Sequence, residues 1–365
     1  MRRTVVGGLF YWTVLIVSAC LGIIFMMVPL LPLMFIKAPL FRKVADLVTT
    51  FYFVFVVTLM ELVYGVKVII TGDRIETSKF GSNLLIMNHR TRLDWMFFWC
   101  CLYRYSYANF LNQKISLKDF PLKNLLGLGW ATQLAAYIFM KRNFEKDKIT
   151  IREMLSYYQR MGQNVNLLFF PEGIDKCETG MERSKRYAEA NNLMEYEHVL
   201  HPRVNGFSYL STEMFKYTFD SLYDVTVAYK PIVPQDELAI LKGKFPEEVH
   251  FHITRYRRDS LPDGGEELQQ LCKDLWKEKE HRLANFYTKD LRFNEGSNGM
   301  RSTQCDMPRK AWQMVSLIYW FSFLFASIYF VATSSLTLCY VIACAIGLTA
   351  IDPLFGGFDK IQTRL

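Results

Sequence analysis

The sequence lacks several patterns that would fix its class at once. No Cys-x-x-Cys pair occurs among its eight cysteines, so the spacing typical of zinc sites is absent. No Gly-x-Ser-x-Gly motif is present, which counts against a hydrolase with a serine nucleophile. No Asn-x-Ser/Thr sequon occurs either, which fits a folded domain that faces the cytosol. Lys and Arg form no compact stripe, so we expect no nucleic-acid partner.

What the sequence has in excess is apolar and aromatic residues. Hydrophobic residues make up 51% of the 365, including 29 Phe and 20 Tyr, which is more than a typical cytosolic domain carries. The 43 basic residues outnumber the 35 acidic ones and give a net charge of +8, which suits an anionic membrane surface. We therefore expect the lipid bilayer to be a partner.

Three apolar stretches predict how the chain meets that bilayer. Residues 4–36 carry no charge and exceed the roughly 20 residues that cross a bilayer, so they predict a retained anchor. Residues 44–64 are interrupted by Asp46 and Glu61, which favours an interfacial or re-entrant helix over a crossing. Residues 311–351 are again uncharged and predict either a hairpin of two short crossings or one long crossing with a re-entrant piece.

The middle of the chain alternates strand-like and helix-like segments, which predicts an α/β fold with a mainly parallel sheet. The strand candidates are residues 84–87, 108–111, 164–170, 225–229 and 249–256. The resulting organisation is residues 1–64 as N-terminal transmembrane and interfacial helices, 65–293 as the catalytic domain, 294–310 as a linker, 311–351 as C-terminal transmembrane segment(s), and 352–365 as a tail.

One histidine and one aspartate stand five positions apart just after the first of these strands. Asp94 could accept a hydrogen bond from one ring nitrogen of His89 and leave the other nitrogen free as a general base. The alternative is that His89 merely caps the following helix and that Asp94 pairs with Arg90 or Arg92. An isolated His-x4-Asp pattern does not decide between these interpretations.

Two later segments carry polar residues at the mouths of strands. Arg142 follows an apolar run, where its guanidinium could hold a phosphate oxygen through two hydrogen bonds. Glu172 and Gly173 lie in a Pro-Glu-Gly turn after the most hydrophobic strand, at the kind of sheet edge where α/β proteins bind ligands. Glu172 could accept hydrogen bonds from hydroxyl groups of a ligand, and Gly173 would let the backbone approach that ligand. An exposed basic pair and a plain β-turn are the simpler alternatives.

The remaining histidines predict structural roles. His201 precedes Pro202, and packing or capping explains it better than a second base does. His250 and His252 share one face of a strand, but no third ligand is spaced to join them in a metal site.

Taken in order, these segments resemble the glycerophospholipid acyltransferase superfamily. The run from Asn88 to Asp94 matches its first motif, Asn-His-x4-Asp, and residues 139–142 match the second with Met140 in place of Ile and Ala136 in place of Gly. Residues 170–173, Phe-Pro-Glu-Gly, match the third motif, which here continues with Ile174 instead of Thr or Ser. Residues 200–203 look like the fourth motif. Residues 197–203 and 245–253 further resemble the branch that contains lysocardiolipin and lysophosphatidylinositol acyltransferases.

The resemblance implies an integral enzyme of the endoplasmic reticulum that transfers a fatty acyl group from acyl-CoA to an anionic lysophospholipid, without a cofactor or a metal. It assigns catalysis to His89 and Asp94 and substrate binding to a set of five residues: Asn88, Arg142, Glu172, Gly173 and Pro202. Two alternatives stay open, a 1-acylglycerol-3-phosphate acyltransferase that makes phosphatidic acid and a non-enzymatic lipid-binding or scaffold protein.

Overall fold

The computed structural model describes residues 3–76, 81–105, 110–289, 291–293 and 307–365. Its internal contacts divide the chain into two units. The first contains Met1–Gly8, Glu61–Gln113 and Asn164–Cys305, and the second contains Leu9–Met60, Lys114–Gln163 and Asp306–Leu365. Residues 114–163, which the sequence assigns to the catalytic segment 65–293, therefore cluster with the apolar helices.

The helices of the described chain alternate with its strands over the middle of the sequence. The helices are α1 (Val5–Gly22), α2 (Leu31–Ile36), α3 (Ala38–Thr58), α4 (Asp94–Tyr105), α5 (Leu128–Leu134), α6 (Phe144–Arg160), α7 (Glu178–Ala190), α8 (Val204–Phe215), α9 (Glu237–Leu241), α10 (Gly265–Thr288), α11 (Met307–Thr333), α12 (Ser335–Phe355) and α13 (Phe358–Arg364). The strands are β1 (Lys67–Gly72), β2 (Ser82–Met87), β3 (Gln113–Lys118), β4 (Ile138–Met140), β5 (Asn166–Phe169), β6 (Phe219–Lys230) and β7 (Glu248–Arg257).

The first unit contains five of these strands in the order β1-β7-β6-β2-β5. Strands β1 and β7, β2 and β6, and β2 and β5 pair in parallel, and only β6 and β7 pair antiparallel. The predicted α/β fold with a mainly parallel sheet is confirmed. In the second unit, β3 and β4 form a short parallel pair over residues 116–118 and 138–140.

The strands of the first unit form where the sequence has continuous apolar runs. Leu84, Leu85, Ile86 and Met87 are completely buried, as expected of a strand in a parallel sheet that is covered on both faces. Full burial of one such side chain contributes about 1.5–3 kcal/mol. This run therefore fixes β2 in the interior, and the residues that follow Met87 emerge at the carboxyl edge of the sheet.

One predicted strand is wrong. Of residues 108–111, the first two lie outside the described part of the chain, whereas Phe110 and Leu111 are helical. The strand of this region is β3, which begins at Gln113. A short apolar run has no periodicity that distinguishes a buried helix from a buried strand, which explains the error.

Four helical segments are long and apolar enough to cross a membrane: Val5–Ile36, Ala38–Val63, Met307–Thr333 and Ser335–Phe355. Val5–Ile36 includes a 3-10 turn that begins at Val28 and contains Pro29. The last two segments meet at Ser334, whose hydroxyl caps α12 by accepting a hydrogen bond from the Thr337 N–H at 3.3 Å. These helices agree with the predicted apolar segments at both ends of the chain, while the interfacial placement of 44–64 remains a prediction.

The second unit buries a set of charges near the start of α3. Asp46 accepts hydrogen bonds from Arg42 Nη2 and Lys114 Nζ, each at 2.7 Å, and Arg42 also donates to the Leu134 carbonyl at 2.7 Å. Asp46, one of the two acidic residues that interrupt the second apolar stretch, is thus paired with two cations inside its own unit.

The predicted linker and tail also have described parts. Residues 294–306 of the linker lie outside the described residues, and residues 307–310 belong to the first turn of α11. In the predicted tail, α12 continues to Phe355 and α13 covers Phe358–Arg364. Gln362 of α13 is fully buried and donates to the Gln133 carbonyl at 3.0 Å.

Candidate active site

The site of the first unit begins where β2 ends. Asn88 is buried, and its side chain bonds both backbone groups of Val227 on β6: Oδ1 accepts from the N–H at 2.8 Å and Nδ2 donates to the carbonyl at 3.2 Å. The structure thus places Asn88 as an anchor between two strands, and its predicted contact with substrate remains a prediction. The anchor fixes the backbone immediately before His89.

His89 and Asp94 meet at a distance of 2.9 Å between Nδ1 and Oδ2. Asp94 is fully buried at the start of α4, whereas 17% of the His89 side chain is exposed. Because an ionised carboxylate can only accept a hydrogen bond, Nδ1 carries the proton and Nε2 holds a free lone pair. The His89 ring also stacks on Phe170, with ring centroids 4.1 Å apart. This arrangement has the geometry that a general base and its orienting carboxylate require, and the catalytic role of the two residues remains a prediction.

Three further donors fix the Asp94 carboxylate. Oδ2 accepts from the Thr91 N–H at 2.9 Å, and Oδ1 accepts from the Thr91 hydroxyl at 3.1 Å and from the Tyr229 hydroxyl at 2.5 Å. Arg90 and Arg92, the alternative partners, bind elsewhere: Arg90 donates to Gln235 at 3.0 Å, and Arg92 lies 3.6 Å from Glu237. The Asp94 carboxylate therefore binds His89 and pairs with neither of the two arginines.

Glu172 lies beside this pair and is nearly completely buried. Its Oε1 accepts a hydrogen bond from Trp276 Nε1 at 3.1 Å, while Oε2 has no hydrogen-bond partner among the described residues. Burial raises the pKa of Glu172 to about 7, although the proximity of His89 and the bond from Trp276 act in the opposite direction. A buried carboxyl group that titrates near neutral pH next to a candidate base is typical of a functional site.

The turn after Glu172 brings the third and fourth sequence segments together. Gly173 has a φ of +73°, and a Cβ added there would lie 3.1 Å from Arg203 Nε, so a side chain at this position would be strained and crowded. The Arg203 N–H donates to the Pro171 carbonyl at 2.8 Å, directly after the buried Pro202. Besides Asn88, the first unit contains five of the predicted site residues: His89, Asp94, Glu172, Gly173 and Pro202.

Helix α10 lies outside the four motif segments of the sequence, and its side chains make hydrogen bonds to two parts of the site. Trp276 binds Glu172, and Glu280 accepts backbone hydrogen bonds at 2.7–3.2 Å from three consecutive residues, 197–199. The sequence analysis missed Trp276, Glu280, Thr91 and Tyr229. The buried stripe of α10 is visible as an apolar pattern at helical spacing, but this pattern does not indicate which loops the helix covers.

Arg142 belongs to the second unit, two residues after β4. It is exposed and has a φ of +58°, between the end of the strand and Asn143, the N-cap of α6. The preceding residue is fixed, because the Lys141 N–H donates to the Asp147 carboxylate at 2.7 Å. Its predicted role in phosphate binding remains a prediction.

The other histidines have structural partners. His201 stacks on Tyr196 with ring centroids 4.2 Å apart, which agrees with a packing role, and His250 lies 3.1 Å from Glu248. His252 lies 2.9 Å from the Thr71 hydroxyl. Within the described part of the chain, no group of three or more His, Cys, Asp or Glu side chains could hold a metal ion.

Comparison with known proteins identifies the family of this chain. Residues 68–230 match a family described as acyltransferase, and residues 239–320 match a family described as acyltransferase C-terminus. The chain belongs to this acyltransferase family and is an enzyme that transfers acyl groups. Helix α10 falls in the C-terminal match.

Individual relatives show which acyltransferases the chain is similar to. The chain is similar to lysocardiolipin acyltransferase 1 of Gallus gallus, with 39% identity over 97% of this chain and 93% of that protein. The lysocardiolipin acyltransferase 1 of Danio rerio is 42% identical over 91% of this chain and 87% of its own. Lysophosphatidylinositol acyltransferase 10 of Caenorhabditis elegans is 34% identical over 87% and 83%. No solved structure gives a significant match.

Proposed function

We propose that this enzyme transfers a fatty acyl group from acyl-CoA to a free glycerol hydroxyl of an anionic lysophospholipid, either lysophosphatidylinositol or lysocardiolipin. The single observation that carries the proposal is the His89–Asp94 pair, oriented by Thr91 and Tyr229 at the carboxyl edge of the sheet. The names of the relatives support the choice of acceptor.

In the proposed reaction, the hydroxyl oxygen of the acceptor attacks the thioester carbonyl while its proton passes to Nε2 of His89. Asp94 stabilises the imidazolium that forms. An O–C bond forms, the C–S bond of the tetrahedral intermediate breaks, and the coenzyme A thiolate takes a proton from His89. The acceptor hydroxyl is itself the nucleophile, so the reaction requires no acyl-enzyme.

The other predicted site residues hold the acceptor in this proposal. Gly173 lets the backbone approach the glycerol part, Pro202 lines the site, and Arg142 binds the phosphate through its guanidinium. Glu172, whose pKa is raised to about 7 by burial, can accept a hydrogen bond from a glycerol hydroxyl through its unpartnered Oε2. Four apolar helices support an integral membrane location, which we propose to be the endoplasmic reticulum.

The test is an acceptor panel with protein in microsomes or detergent, run for the wild type and for His89→Ala. We expect transfer from a long-chain acyl-CoA to lysophosphatidylinositol or lysocardiolipin, and loss of that transfer in His89→Ala. The matched control is His281→Ala, which removes an exposed histidine on α10 and should keep full activity.

Each other outcome has a defined meaning. Transfer only to lysophosphatidic acid would keep the mechanism and move the enzyme to the synthesis of phosphatidic acid. Transfer that persists in His89→Ala would contradict the mechanism. A folded wild type that acylates no acceptor would leave a lipid-binding or scaffold role.

A further inference from the structure

Two basic residues in the segments around His89, Arg90 and Lys176, form no ion pair within the described part of the chain. Arg90 follows His89 in the chain, and the backbone N–H of Lys176 donates to the His89 carbonyl at 2.7 Å. Both side chains are half-buried, and neither forms an ion pair with any residue that the structure describes. A half-buried ammonium group without a counter-charge is costly, because burial removes part of its hydration.

Gln235 holds the segments that carry these two cations. Its Oε1 accepts a hydrogen bond from Arg90 Nη1 at 3.0 Å. Its Nε2 donates to the Lys176 carbonyl at 3.1 Å and to the Asp175 carboxylate at 3.3 Å. The side-chain amide of Gln235 therefore connects the loop after β2 to the loop after β5. The fold thus fixes the two segments that carry Arg90 and Lys176 relative to each other.

The acidic groups nearby are engaged or exposed. Glu280 accepts the backbone N–H groups of residues 197–199, and Glu172 is buried against Trp276. Asp175 lies 3.9 Å from Arg92 and also accepts from Gln235. Glu197 is exposed to solvent. None of these carboxylates forms an ion pair with Lys176.

The electrostatic surroundings of Lys176 agree with this geometry. Burial lowers the pKa of the Lys176 ammonium, and the positive charge of Arg90 lowers it further, while Glu280, Glu172 and Glu197 oppose the shift. The Arg90 guanidinium also lowers the pKa of Tyr287, although burial, the larger effect, raises it. Arg90 thus acts on both Lys176 and Tyr287. A bound anion would relieve the repulsion between the two cations.

We propose that Arg90 and Lys176 form an anion subsite in the segments around His89 that binds a phosphate group of a substrate. This inference rests on the proposed function. The phosphate can belong to the head group of the lysophospholipid or to the coenzyme A part of the donor, because both substrates present phosphate oxygens.

The test compares Lys176→Gln with Lys176→Arg, which keeps the charge. The control is Lys277→Gln, which removes an exposed lysine of α10. KM is measured for lysophosphatidylinositol at saturating acyl-CoA and for acyl-CoA at saturating lysophosphatidylinositol. We expect Lys176→Gln to raise one of these KM values about tenfold with little change in kcat. Lys176→Arg should largely restore it, and Lys277→Gln should change neither.

The substrate whose KM rises identifies the source of the phosphate. A rise for lysophosphatidylinositol places a head-group phosphate at the subsite, and a rise for acyl-CoA places a coenzyme A phosphate there. Unchanged KM values for both substrates in Lys176→Gln and in Arg90→Gln would overturn the proposal. If Lys176→Gln does not fold, Arg90→Gln gives the same test.

The two proposals fail in different ways. Wild-type transfer that depends on His89, together with unchanged KM values in both glutamine variants, would refute only the anion subsite. A folded wild type without any His89-dependent transfer would refute the proposed function itself.

Discussion

The Asp94 carboxylate offers the sharpest perturbation of the proposed chemistry. It accepts four hydrogen bonds: the His89 ring and the Thr91 N–H bind Oδ2, while the hydroxyls of Thr91 and Tyr229 bind Oδ1. In Asp94→Asn, the amide oxygen can take the place of Oδ2 and keep both N–H donors. The amide NH₂ then faces two hydroxyls, which can rotate and accept. The substitution therefore removes the charge while every hydrogen bond can be re-formed.

The expected effect on the reaction is large because the charge acts on the imidazolium. The His89 tautomer is preserved, but the neutral amide no longer stabilises the positive ring that forms as the hydroxyl is deprotonated. General-base catalysis is worth about 10²–10⁴ in rate. We expect kcat to fall about 100-fold, which corresponds to about 2.7 kcal/mol of transition-state stabilisation. KM for both substrates should change little.

The assay is release of the coenzyme A thiol or transfer of a labelled acyl group, with thermal unfolding of the same samples in detergent. Asp94→Asn should unfold within a few degrees of the wild type. Asp94→Ala should unfold much earlier, because it leaves buried donors without acceptors at about 1–3 kcal/mol each. A folded Asp94→Asn with nearly wild-type kcat would refute the reasoning, since the charge would then have no role in the reaction.

Two further predictions concern the predicted acceptor-binding residues. The Glu172 pKa of about 7 lies above its ordinary value of 4.5, so its contribution to stability is full below about pH 4.5 and is lost as the pH rises through 7. Glu172→Gln should therefore reduce the fall in the unfolding temperature between pH 4.5 and 7, and an unchanged fall would show that another group causes it. Arg142→Gln should raise KM for the lysophospholipid about tenfold, whereas Lys141→Gln, a change at the neighbouring exposed residue, should not. Equal KM values in these two variants would contradict a specific role for Arg142.

The sequence predicted the first unit well where apolar runs are continuous. Strands β2 and β5 lie close to the predicted segments, because burial on both faces of a parallel sheet requires such runs. Strand β7, which alternates apolar and polar residues, also lies close to its predicted segment, whereas β6 begins six residues before the predicted 225–229. The predicted approach of Asp94 to His89 agrees with the observed 2.9 Å.

What the sequence could not predict are contacts between segments that are distant in the chain. The hydroxyl of Tyr229 reaches Asp94 from β6, and Trp276 reaches Glu172 from α10, across separations of 135 and 104 residues. Local periodicity indicates that these residues are buried, but it carries no information on which loop they cover. Each of the two units consists of segments that alternate along the sequence with those of the other unit. The order of the segments in the chain could likewise not predict this division.

The bonds that Glu280 makes to residues 197–199 bear on how this loop can vary in evolution. One carboxylate binds the N–H groups of three consecutive residues, so the loop is held through its backbone as well as through the buried side chain of Val199. A proline at position 198 or 199 would remove a donor, and an insertion of one residue would shift the three donors out of register. Among relatives that keep an acidic residue at this point of α10, we expect a constant loop length and no proline at these positions.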